Sequence, residues 1–100
     1  MSYFLATMKI FIDWKNIANE EDFYNSILPQ LDAPEWHGRN LDALSDSLVG
    51  GGINGIEPPM CIINLNVESL AVQLRGFFTK VAKIYGEANE HDRKIRVFEE

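Results

Sequence analysis

Met60-Cys61-Ile62-Ile63-Asn64-Leu65 is the stretch on which the fold turns. It is almost wholly apolar and partly β-branched, with Pro58-Pro59 before it and Asn66 after it. Such a run suits a central strand covered on both faces, since a strand with one wet face would alternate. Upstream, Lys9-Ile10-Phe11-Ile12-Asp13 supplies a first strand, and Ile95-Arg96-Val97-Phe98 supplies a last one. Helical segments separate each strand from the next. That order predicts an α/β fold, a three-stranded parallel sheet with three to four helices and right-handed crossovers.

Asn19 followed by Glu20, Glu21 and Asp22 marks a helix start, because Asn caps and the acids meet the positive end of the dipole. Phe23, Ile27 and Leu31 then recur at four-residue steps and make one buried face. Pro29 should end or kink that helix near Leu28. Asn40 begins a second helix with Leu41, Leu44 and Leu48 on one side, and Gly50-Gly51-Gly52 stops it. The glycine- and proline-rich segment from Gly50 to Pro59 is a loop. Asn66 is placed to cap a third helical region, striped by Leu70, Leu74, Phe77, Phe78, Val81 and Tyr85. A break near Gly76 and an exit over Gly86 to Glu90 are expected.

One hundred residues, 46% of them hydrophobic, make a single domain over 1–100 whose core needs neither metal nor disulfide. The first seven residues read as a leader of little structural weight if Met8 is the start. Nine basic residues against fifteen acidic ones leave a net charge of -6. Direct nucleic-acid binding is excluded on that balance, because phosphates are held by Lys and Arg. The acidity suits either solubility or attraction of a basic partner. Cys61, the lone cysteine, lies in an apolar run as a small core residue, which fits a reducing, cytoplasmic setting. No apolar stretch approaches the roughly 20 residues a membrane helix needs, and no export signal opens the chain.

The segment Pro34-Glu35-Trp36-His37-Gly38-Arg39-Asn40-Leu41-Asp42-Ala43-Leu44-Ser45-Asp46-Ser47-Leu48 carries the functional information. At ~100° per residue, Asp42 and Asp46 fall ~40° apart and away from the leucines, so both point outward. The helix dipole accounts for Asp42 in the first turn. It does not account for Asp46, which approaches the glycine stop and repels Asp42 by a few tenths of a kcal/mol. Trp36 and His37 stand just before the helix, as an aromatic anchor for a partner or, for Trp36, as core.

These residues resemble the signature of the barstar family, inhibitors of the bacterial ribonuclease barnase: an aromatic pair, Gly, a variable residue, Asn-Leu-Asp-Ala-Leu, and a second Asp four residues after the first. The resemblance implies a barstar-like fold and a cytoplasmic immunity protein rather than an enzyme. In such a protein the acidic helix plugs the cationic active site of a ribonuclease or related toxin nuclease. Asp46 matches the acid that reaches deepest and Asp42 the second acid. Trp36 matches the aromatic that packs on the enzyme's catalytic histidine, and Gly50 a contacting glycine at the helix end. The chain departs from the pattern at Ser45, Val49 and Gly51, where the family has tryptophan, threonine and tryptophan. Lys80 stands in the region that carries a further binding acid. The expected partner-binding set is therefore Trp36, His37, Asp42, Ser45, Asp46, Val49 and Gly50, on a chain that is monomeric when free.

Two rivals differ in kind. A non-inhibitory module of the same fold would bind another basic protein. A small hydrolase would use His37 with Asp42 or Asp46, yet no nucleophile motif or phosphate loop accompanies them. Two histidines and one cysteine without ligand spacing predict no metal or other cofactor.

Overall fold

The computed structural model describes residues 8–100, so the expected leader and a start at Met8 lie outside or at the edge of the described residues. Three strands, β1 (Met8–Asp13), β2 (Met60–Leu65) and β3 (Ile95–Glu99), form one sheet in the order β1-β2-β3. Both pairings are parallel. The apolar run that decided the fold is thus the middle strand, and Met60 to Ile63 are at most 1% exposed. On one face Met60 and Ile62 join Ile10, Ile12 and Ile95 in the main core. On the other, register sets Cys61 between Lys9 and Arg96, and Ile63 between Phe11 and Phe98.

Three α-helices accompany the sheet: α1 (Glu20–Gln30), α2 (Leu41–Ser45, continued as a wider π-helical turn over Asp46–Gly50) and α3 (Arg75–Glu90). Asn19 caps α1 by accepting from the Asp22 amide at 2.9 Å, and Asp22 reaches back to accept from the Ala18 amide. Phe23, Ile27 and Leu31 are buried, as their spacing requires. The helix nevertheless passes Leu28 and carries Pro29 inside its last turn. So close to the end, the ring forfeits one intrahelical bond, to the carbonyl of exposed Asn25, and little else. The exit is a Schellman turn built on an aspartate. Asp32 takes the left-handed conformation (φ 51°), while the amides of Asp32 and Ala33 donate to Pro29 and Leu28. Gln30 closes β1's outer edge, its side-chain amide bonding both the N–H and the C=O of Phe11 at 2.8 Å.

The third helical region differs from its sequence reading at both ends. Two short 3-10 turns, Val67–Ser69 and Val72–Leu74, precede α3, so the break falls before Arg75. Asn66 caps nothing. It sits left-handed (φ 56°) and donates its side-chain amide to Asp13 Oδ1 at 2.7 Å, joining the ends of β1 and β2. That bond, with a second from the Lys15 amide, holds the Asp13 carboxyl below its ordinary range. At the far end α3 runs through exposed Gly86 to Glu90, because buried Ile84, Tyr85 and Ala88 continue its apolar stripe. Asp92 (φ 60°) then repeats the aspartate-based Schellman turn: its own amide donates to Asn89 and that of Arg93 to Ala88.

Aromatic packing closes the core between the helices and the strand ends. Trp14 stacks on Phe23 (5.6 Å between ring centres) and meets Phe78 edge-on at 5.0 Å. Its indole N–H donates to Asn64 Oδ1 at 2.9 Å, both groups being buried. Burial pushes the Tyr24 phenol up to about 12 and raises Tyr85 further. An Asn64→Leu substitution removes the acceptor and leaves the Trp14 N–H buried and unpaired. It should cost about 2 kcal/mol of unfolding free energy, read as a lower urea midpoint at unchanged slope.

Candidate functional site

The acid-bearing helix is built by local rules. Asn40 is extended (φ -156°) and its side chain accepts from the Ala43 amide at 2.8 Å, which fixes the first turn. Gly38 is required two residues earlier, since a Cβ there would lie 2.9 Å from that of Ala43. Leu44 and Leu48 are buried and Leu41 is half-buried, so the leucine face anchors the helix to the core. Asp42 and Asp46 lie on the outside, exposed. Among the described residues neither carboxylate has a hydrogen bond or ion pair.

After Ser45 the helix widens into its π turn, which the regular 100° wheel does not anticipate. The wider turn allows two consecutive residues, Ser47 and Leu48, to be buried together while Asp46 stays outside. Both buried residues are held from elsewhere in the chain. His37 Nε2 lies 2.9 Å from Ser47 Oγ, and its Nδ1 lies 2.7 Å from the Gly38 carbonyl. That carbonyl can only accept, so Nδ1 carries a proton. One residue on, Arg93 Nε donates to the Leu48 carbonyl at 3.1 Å. The guanidinium also pairs with Glu57 of the loop. A cation bonded to a carbonyl at a helix C-terminus satisfies an otherwise orphaned acceptor and complements the dipole.

His37 therefore departs from the partner-facing role its neighbour Trp36 suggested. It is 6% exposed and both ring nitrogens have partners within the protein, whereas Trp36 is 73% exposed. Tied to Ser47, the histidine holds the Trp36 loop against the helix. Val49 is also turned toward the core, packing half-buried against it, where the sequence placed it at the interface. Ser45 is half-buried at the edge of a groove between α2 and α3, and Gly50 is exposed at the helix end. The sequence-derived site thus divides into an outward set (Trp36, Asp42, Asp46, Gly50), an edge residue (Ser45) and two inward residues (His37, Val49). Arg93 and Ser47 were not foreseen. Nothing within their own segments distinguishes them.

No cluster of His, Cys, Asp or Glu that could hold a metal ion occurs among the described residues, and no helix among them is long and apolar enough to cross a membrane.

The chain is thus a small parallel α/β domain with two unpaired carboxylates on a helix pinned at both ends and a bare tryptophan in the loop just before it. The family model described as barstar (barnase inhibitor) matches residues 7–99. The Bacillus subtilis (strain 168) protein named "Putative ribonuclease inhibitor YrdF" is 33% identical over 82 residues, which cover 82% of this chain and 86% of that protein. The chain belongs to the barstar family.

The neighbouring glycines give a test of the geometry. A Cβ on Gly50 meets nothing within 4 Å. One on Gly51, at φ +77°, would sit 2.6–2.8 Å from the Arg93 guanidinium. Gly51→Ala should therefore lower stability by about 2 kcal/mol, and Gly50→Ala should stay within about 0.5 kcal/mol of the parent, both read by thermal unfolding.

Proposed function

We propose that this chain is a cytoplasmic immunity protein that inhibits a basic ribonuclease, or a related toxin nuclease, by inserting the Asp42–Asp46 face of α2 into the enzyme's cationic active site. The observation that carries the reading is the pair of exposed carboxylates left without partners on an otherwise well-anchored helix. An active site that binds RNA phosphates arrays arginine, lysine and histidine at spacings suited to anions. A carboxylate forms the same charge-assisted bonds, bidentate with arginine. Asp46 and Asp42 act as phosphate surrogates, and Trp36 supplies a rigid aromatic anchor beside them.

Energetics favour this use of the helix. The anchoring by His37, Arg93 and the leucines orders the acids before any encounter, so little conformational entropy remains to be lost on binding. The net charge of -6 adds long-range attraction toward a basic enzyme and accelerates association at low salt. Family membership supports the ribonuclease-inhibitor class, and the buried free thiol of Cys61 suits a reducing compartment.

The test is inhibition of RNA cleavage by barnase and a panel of other basic bacterial ribonucleases, with the wild-type chain and Asp46→Ala. Asp46→Ala should weaken inhibition of the susceptible enzyme by more than about 2 kcal/mol in binding free energy while its melting temperature stays close to the parent's. Equal inhibition by both chains sinks the proposal. Raising sodium chloride from 50 to 500 mM should slow association with that enzyme at least tenfold and change dissociation far less.

A further inference from the structure

Beside the acids lies a feature of mixed sign. A groove of about 200 Å³ runs between α2 and α3, with Leu41, Asp42 and Ser45 on one wall and Lys80, Lys83, Ile84 and Glu87 on the other. Lys80 and Lys83 are exposed, and neither makes an ion pair among the described residues. The face that offers two carboxylates to a partner thus also offers two ammonium groups, one helix away.

Helix stability does not explain these lysines. The residues three and four positions from Lys80 on α3 are Gly76, Phe77, Lys83 and Ile84, so the helix gives it no acidic neighbour and one like charge. Lys83 has Glu87 four residues on, the less favourable orientation for such a pair, and no ion pair forms. More broadly, α3 is charged against its own dipole, with Arg75 in its first turn and Glu90 in its last. Solubility does not require them either, since each lysine reduces a net charge that is already strongly negative.

Resting on the inhibitor reading above, we propose that the α2–α3 groove is a carboxylate-accepting subsite, and that the partner enzyme carries an acidic side chain on the rim of its basic cleft, facing Lys80 and Lys83. An enzyme whose rim is basic throughout would set like charges against Lys80 and Lys83 and be disfavoured, while its active site could still attract Asp42 and Asp46. The acids then provide affinity for cationic clefts as a class. The lysines select among them. The groove also suits the occupant: each wall carries an apolar side chain, Leu41 and Ile84, against which the methylenes of a Glu or Asp side chain can pack, and Ser45 offers a hydroxyl donor.

The experiment uses barnase carrying single Glu substitutions at exposed positions ringing its active-site cleft, assayed with the wild-type chain, Lys80→Glu and Asp46→Ala. A new negative charge on the enzyme weakens steering of an acidic inhibitor, so most rim variants should be inhibited less well. At the position facing the groove the sign should reverse. At least one variant should be inhibited ten times or more better than parent barnase by the wild-type chain, and that gain should vanish with Lys80→Glu, whose melting temperature is unchanged. The subsite is overturned if no rim variant gains more than twofold, or if the gain persists with Lys80→Glu. Failure of the inhibitor reading shows separately, as an Asp46→Ala chain that inhibits the whole set as well as the wild type does.

Discussion

Two like charges one turn apart on a short helix repel each other, and a helix that leaves them unpaired must be held by contacts the charges do not make. That constraint organises the molecule around α2. Its five α-helical residues and the π turn that follows are too short to persist alone, since isolated helices below about 12 residues are marginal in water. Order comes from outside: Leu44 and Leu48 in the core, His37 against Ser47, and Arg93 against the Leu48 carbonyl. Each acts on the inner side of the helix, and none engages Asp42 or Asp46. The outer side is left chemically open because the inner side is so thoroughly committed.

The same division explains why the supports come from distant parts of the chain. Arg93 follows directly on the left-handed Asp92, so the turn that ends α3 also sets the starting point of the side chain that closes α2. Asn89 bonds the N–H and C=O of Ile95 at 2.7 Å and fixes how β3 enters the sheet from that turn. Strand order, the exit of α3 and the end of the acidic helix are therefore mechanically linked. A parallel sheet makes this geometry available, because each connection must run back along the molecule and delivers a helix end near the strand that follows.

Wherever a periodic pattern or a local cap was decisive, the sequence was sufficient. The apolar run at Met60–Leu65 is the central strand, Asn19 and Asn40 cap where their types and positions imply, and Phe23, Ile27 and Leu31 are buried together. Long-range contacts and unusual backbone were not legible. Asn66 is a good cap by type, but its partner is Asp13, some fifty residues earlier. Asp32 and Asp92 occupy positions usually signalled by glycine, so the helix exits passed without a marker. The π turn breaks the 100° step on which any wheel depends. His37 was paired with Trp36 because the two adjoin, yet neighbours in a loop routinely point opposite ways. Its burial depended on Ser47 being within reach, which no local pattern encodes.

These separations bear on how the proposed recognition could be altered. Residues that fold the site (Asn40, Gly38, Leu44, Leu48, Gly51 and Arg93) are committed to internal contacts, and altering them costs stability before it alters recognition. Trp36, Asp42 and Asp46 are exposed without internal polar partners, so the fold places few demands on them and recognition can dominate their identity. Ser45 lies between the two groups, half-buried at the groove edge. A large aromatic at that position would occupy the space above Lys80 and Lys83 that a serine leaves open. In the proposed reading the binding face is therefore a pair of fixed acids bordered by a groove that carries Lys80 and Lys83. On that reading, what varies around the acids, more than the acids themselves, would set which basic surface can seat fully against it.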